Sequence, residues 1–194
     1  MRAGTPARSV AAHRKVPFVL PSPNSRPEPR PTASERASVP VADIALSSSA
    51  VAQVPGSGTY AIAKEYTCHG ADRSPPLHWS RVPADTKELA VIVVNAKPVS
   101  GGLFFDWAVT GLSPSLRGLR AGALPAGAVV GRNSFGANRY SICPAQGQRE
   151  SYLFLLYALP RRLAATTGFE PESLRSQAMR VARHTGILAG SYGV

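Results

Sequence analysis

Leu89-Ala-Val-Ile-Val-Val-Asn95 is an unbroken apolar run, mostly β-branched, and it shows no polar alternation. That pattern predicts a strand buried on both faces rather than one lying over a single core. Two more strands are predicted outward from it. Leu103-Phe-Phe-Asp-Trp-Ala-Val-Thr110 is entered through Gly101-Gly102, and Tyr152-Leu-Phe-Leu-Leu-Tyr-Ala-Leu159 is stopped by Pro160. Pro/Gly-rich connections separate them: Ser74-Pro75-Pro76, Gly111 to Pro125, and Gly131 to Gly147. Long irregular stretches of this kind are often functional loops. One late helix is expected. Pro171 suits a first helical turn, and Leu174, Ala178, Val181, Ala182 and Thr185 recur at helical spacing, with Gly186 as the stop. Arg175, Arg180 and Arg183 fall toward its other side and read as an ordinary solvated face. Mostly strands with one late helix predicts an antiparallel sheet structure.

The chain has 194 residues, of which 44% are hydrophobic, enough for one packed domain and a tail. Lys and Arg number 22 against 11 Asp and Glu, a net charge of +11 that would suit an acidic partner. Residues 1–40 are different material. They hold eight prolines, seven basic residues and only two acids, Glu28 and Glu35, and their apolar residues follow neither helical nor strand period. Such a stretch cannot bury enough apolar surface to offset its chain entropy and reads as a disordered basic tail. It lacks the apolar run of a signal peptide, a cysteine for a lipid and a twin-arginine pair. A cytoplasmic setting is therefore expected, with export as the alternative if the start is misplaced.

Several motifs fail on physical grounds. Gly56-Ser57-Gly58-Thr59-Tyr60-Ala61 matches a dinucleotide fingerprint as text, but Pro55 precedes it and a strand-like run follows, so a turn is expected. Gly131 to Gly136 lacks the spacing of a nucleophile elbow. Cys68 and His69 are neighbours, which in an extended segment would face opposite ways and form no nucleophile–base pair. His13, His69, His78 and His184 show no metal spacing, and no cofactor is expected. The aromatics fall on predicted strands rather than among basic residues, which argues against nucleic-acid binding.

Six segments, in order, resemble the bacterial branch of the phosphatidylethanolamine-binding protein family, also called Raf kinase inhibitor protein-like. They are Tyr66-Thr-Cys-His-Gly70, Ser74-Pro-Pro-Leu-His-Trp79, Val82-Pro-Ala-Asp-Thr-Lys-Glu-Leu89, Gly131-Arg-Asn-Ser-Phe-Gly136, Cys143-Pro144, and Tyr152 with Tyr157-Ala-Leu159. The resemblance covers residues 42–194. It implies a β-fold with a large central antiparallel sheet, a second smaller sheet and a helix at the end. It also implies a small pocket for phosphate-like head groups, and binding or regulation rather than a shared reaction.

The pocket is where the chain departs from that family. Asn95-Ala96-Lys97-Pro98-Val99 stands where the family carries Asp-Pro-Asp-Ala-Pro, and Asp106-Trp107 stands for His-Trp. The loop Ser141-Ile142-Cys143-Pro144-Ala145 is shorter than its family counterpart, and Glu150 replaces a His two residues before Tyr152. By resemblance the pocket comprises Asn95, Lys97, Pro98, Asp106, Trp107, Cys143, Pro144, Glu150 and Tyr152. An ionised carboxylate accepts hydrogen bonds but donates none, and it repels an anion. Two unit charges ~4 Å apart at an effective dielectric near 20 interact by about 4 kcal/mol. Two carboxylates would therefore cancel most of a micromolar affinity, worth ~8 kcal/mol. The expectation is a non-enzymatic ligand-binding or regulatory protein that has lost its phosphate site, and whose acids would suit an amine or zwitterion. A second reading is a pseudo-binding protein that touches macromolecules or an anionic membrane through its tail and helix. A third, a hydrolase using Asp106 and Glu150 as an acid–base pair, is disfavoured. Cysteines occur at both positions in this family branch, which implies that Cys68 and Cys143 are close; a disulfide and two reduced thiols both remain open. The oligomeric state is not legible.

Overall fold

A computed structural model describes residues 41–193, and of Pro98 and Val99 the backbone alone. The tail reading for residues 1–40 falls outside the described residues. The chain runs β1 (Val41–Ala42), β2 (Ala45–Ser47), β3 (Val51–Gln53), β4 (Tyr60–Ile62), a 3-10 turn over Lys64–Tyr66, β5 (Leu77–Ser80), β6 (Glu88–Val99), β7 (Gly102–Leu112), β8 (Gly118–Leu119), β9 (Val129–Val130), β10 (Arg149–Leu159), α1 (Pro171–Val181) and β11 (His184–Gly193).

All three predicted strands are present, as β6, β7 and β10. They lie side by side in the larger sheet, whose order is β3-β4-β11-β10-β6-β7-β9 with β1 paired to β11. The expectation of an antiparallel sheet holds for its long strands. Two short pairings, β1 with β11 and β4 with β11, are parallel and make the whole sheet mixed. The second sheet, β2-β5-β8, is antiparallel throughout.

The double-sided burial expected for Leu89–Asn95 has a simple origin. Leu89, Val91 and Val93 face a core shared with Leu46, Leu77, Trp79 and Leu119 of the small sheet. Ala90, Ile92 and Val94 face a second core, closed by Leu174 and Ala178 of α1 together with Ala182 and Leu163. A sheet covered by a sheet on one side and a helix on the other leaves no solvated face, so its central strands carry no polar alternation.

The helix forms where Pro171 starts it, but it ends at Val181, and Ala182 already has extended backbone. Thr185 and Gly186, read as its last turn and stop, belong instead to β11, where they pair with Tyr157 and Leu156 of β10. A full strand ladder outcompetes one more helical turn. Gly186 serves a close approach there: a Cβ on it would lie 3.0 Å from the Leu46 Cβ and 3.1 Å from the Ile44 carbonyl oxygen. The Gly56–Gly58 stretch is a turn as expected, with φ of 73° and 66° at its two glycines.

Phe154 is fully buried in the core between the two sheets. Phe154→Ala is expected to cost about 3–5 kcal/mol. Urea unfolding should show a lowered midpoint at unchanged slope.

Candidate functional site

The site is built where β6, β7 and β10 meet, at the end of the sheet that carries Asn95. The β6–β7 register slips at one point. Val93 pairs with Trp107 and Val94 with Phe105, which leaves Asp106 as an extra, unpaired residue on β7. A β-bulge re-aims the side chain it inserts. Here the inserted side chain is a carboxylate that is 1% exposed. Its Oδ2 has no hydrogen-bond partner among the described residues. Burial pushes the Asp106 carboxyl up to about 8, and the nearby Glu150 carboxylate adds to the shift.

Glu150 lies on β10 two residues before Tyr152, hence on the same face. Its Oε2 accepts a hydrogen bond from Asn95 Nδ2 at 2.6 Å and another from the Tyr152 hydroxyl at 3.2 Å. Tyr152 is buried and sits opposite Asn95 in the β6–β10 ladder, so register alone brings both donors to Glu150. Burial raises the Tyr152 hydroxyl well above its ordinary range, and the Asp106 and Glu150 charges add to this, so it stays a donor. Tyr140 is likewise raised, chiefly by burial and then by Asp106.

The loop before β10 closes the site. The Ser141 N–H donates to the Asp106 carbonyl oxygen at 3.1 Å, and Tyr140 meets Trp107 edge to face with ring centroids 5.7 Å apart. The Tyr140 hydroxyl donates to the Tyr66 carbonyl at 2.8 Å, and the Cys68 N–H donates to the Ile142 carbonyl at 3.0 Å. Cys68 and Cys143 form a disulfide with Cα atoms 5.2 Å apart, so of the two states left open in the sequence the structure has the bridge. Pro144 is buried next to it.

The expected pocket residues therefore divide. Asn95, Asp106, Glu150 and Tyr152 converge, while Trp107 packs on Tyr140, and Cys143 and Pro144 lie in the loop before β10. Lys97 turns away: its Nζ donates to Gln148 Oε1 at 3.2 Å, and only its backbone N–H reaches the site, donating to Asn95 Oδ1 at 2.9 Å. No cation among the described residues pairs with Asp106 or Glu150. Pro98 continues β6, and its side chain lies outside the described atoms.

Two expectations are corrected. Asp106 and Glu150 do not both carry charge at neutral pH, because desolvation holds the proton on Asp106. Cys68 and His69 do not lie in an extended segment. They follow the 3-10 turn in a loop, and Cys68 Sγ comes 3.8 Å from His69 Nδ1. The thiol is nonetheless no nucleophile, being bonded to Cys143. Sequence reasoning missed Tyr140 and Tyr192. Tyr192 pairs with Glu150 across β10–β11 and lies 5.8 Å from the His69 ring. Only the pairing of β11 could have revealed Tyr192.

The family profile described as phosphatidylethanolamine-binding protein matches residues 53–193. The chain belongs to the phosphatidylethanolamine-binding protein family. It is similar to LppC of Mycobacterium tuberculosis strain H37Rv, which carries a lipoprotein name, at 39% identity over 109 residues; the match covers 55% of this chain and 53% of that one. The chain thus spans about half the length of that relative. Among solved structures, the CT736 homologue of the family from Chlamydia trachomatis superposes with a TM-score of 0.68 at 31% identity, covering 78% of this chain and 97% of that one. Escherichia coli YbcL, described as a new member of the mammalian branch, gives 0.68 at 26%, covering 79% and 99%. The fold inferred from the six segments is thereby shown.

Two predictions arise from this geometry. Asp106 binds its proton more tightly folded than unfolded, so its contribution is greatest below the unfolded pKa of 3.8 and is lost as pH rises toward about 8. One proton of difference corresponds to ~1.4 kcal/mol per pH unit inside that window. Relative to the wild type, Asp106→Asn should flatten the fall in melting temperature between pH 5 and pH 8. For the disulfide, protein unfolded without reductant should show no reactive thiol, and reduction should cost about 2–4 kcal/mol.

Proposed function

We propose that this family member is a non-enzymatic binding or regulatory protein whose central site no longer receives phosphate head groups, because the protein fills that site with its own anion. The observation that carries the reading is the commitment of donors. Asn95 Nδ2 and the Tyr152 hydroxyl both donate to Glu150 Oε2. A phosphate arriving there would have to displace Glu150 while its negative charge stayed close by, which costs several kcal/mol at short range. Asp106 is neutral at pH 7, so it adds little repulsion there. Above pH 8 it ionises and opposes an anion as well.

The same features support a non-catalytic role. Burial raises the Asp106 carboxyl, as it would a general acid. Asp106, however, is sealed from solvent, and both cysteines are tied in the bridge. The acceptor oxygens of Glu150, with Tyr192 opposite it and the exposed His69 beside Tyr192, suit a cationic amine or the ammonium end of a zwitterion better than an anion.

The disulfide favours export over a cytoplasmic setting, since such bonds persist in oxidising compartments. No helix among the described residues is long and apolar enough to cross a membrane. Docking on an anionic surface through the basic helix face has less support. Arg175 is held by Glu172 through two hydrogen bonds, of 2.9 and 2.8 Å, which leaves Arg180 and Arg183 exposed.

Calorimetric titration with inorganic phosphate and with phosphoethanolamine tests the reading. Neither should bind with a Kd below ~1 mM, a threshold worth about 4 kcal/mol. Saturable phosphate binding tighter than that, abolished by Tyr152→Phe, would overturn it.

A further inference from the structure

At the far end of β6 from Asn95 lies a second buried acid that the central site does not use. Glu88, the first residue of β6, is 4% exposed, and its Oε1 accepts a hydrogen bond from Thr110 Oγ1 at 2.5 Å. No other hydrogen bond among the described residues reaches this carboxylate. It lines a cavity of about 450 Å³, within the range of small-molecule sites. Seven residues of strand at ~3.3 Å each put it roughly 20 Å from the Asn95 end.

The composition of that cavity is specific. Its floor is apolar, from Leu112 and Leu116, and two exposed cations, Lys87 and Arg162, line it as well. Neither comes within ion-pair distance of Glu88, so the carboxylate has no cationic partner among the described residues. Its second oxygen is not among the buried unpaired atoms, so it opens on the cavity, where a donor, best a charged one, can meet it. The two exposed cations would meet an anion.

We propose that this cavity is a binding site for a small zwitterion, an aliphatic α-amino acid. Its ammonium donates to Glu88, its carboxylate faces Lys87 and Arg162, and its side chain lies on Leu112 and Leu116. An ammonium carries three donors and no acceptor, which matches a carboxylate whose remaining sites are unfilled. The inference goes beyond the reading of the central site and does not rest on it.

Titration of the full chain with leucine tests it. Isoamylamine, the amine without a carboxylate, and isocaproate, the acid without an amine, are the comparison probes. Leucine is expected to bind with a millimolar or better Kd, isoamylamine more weakly and isocaproate most weakly. Glu88→Gln should weaken leucine at least tenfold. Lys87→Ala combined with Arg162→Ala should weaken leucine severalfold and leave isoamylamine unchanged. Asp106→Asn should leave leucine binding unchanged, which separates this site from the central one. Should Glu88→Gln fail to fold, amide shifts in the wild-type protein locate the ligand, and they should centre on Gly111 and Gly127 at the cavity wall. The proposal is overturned if leucine does not bind, if its shifts centre elsewhere, if Glu88→Gln binds it equally well, or if isocaproate binds as tightly as leucine.

Discussion

The antiparallel ladder between β6 and β10 is the constraint on which the rest depends. It runs from Asn95 opposite Tyr152 to Glu88 opposite Leu159, in one unbroken register. At one end it delivers two donors to Glu150. At the other it fixes Glu88 beside a cavity. In its middle Val91 to Val93 are fully buried against Phe154 and Leu156, with a core on either side. A slip of one residue would turn every side chain to the opposite face, so the packing of two cores and the chemistry of both ends are set by a single choice of pairing.

Onto this regular frame the chain adds one irregularity. The bulge at Asp106 puts an acid almost wholly out of solvent. The cost of a buried charge is avoided by keeping the proton. Around it the aromatic rings of Trp107, Tyr140 and Tyr152 exclude solvent, and the Cys68–Cys143 bridge holds the covering loop in place. Closing about 75 residues of chain, the bridge limits the unfolded state most, an effect on the order of 4 kcal/mol in the loop-entropy account. Family membership fixes the architecture around this site, and the proposed loss of phosphate binding follows from the residues this chain places inside it.

The two acids, Glu88 at the start of β6 and Asp106 within β7, differ in a way that matters for function. Asp106 is 1% exposed, and keeping its proton avoids the cost of a buried charge. Glu88 is 4% exposed and opens on a cavity lined by two cations, so its free oxygen is a matter of binding. Burial alone does not distinguish them; what stands opposite the carboxylate does.

The sequence by itself determined the strand content, the double-sided burial of Leu89–Asn95, the turn at Gly56–Gly58, the family and the residues that depart from it. These rest on local pattern: side-chain shape, backbone permissiveness and the order of short motifs are all present in the linear chain. The tertiary structure alone decided that Thr185 and Gly186 join a strand, that Asp106 rather than Phe105 is the bulged residue, that Lys97 turns to Gln148, and that Asp106 keeps its proton. Each of those outcomes depends on a partner far away in the chain, β10 for β11 or Glu150 for Asp106. Desolvation and strand register are properties of what surrounds a residue, and no window of neighbouring letters contains them.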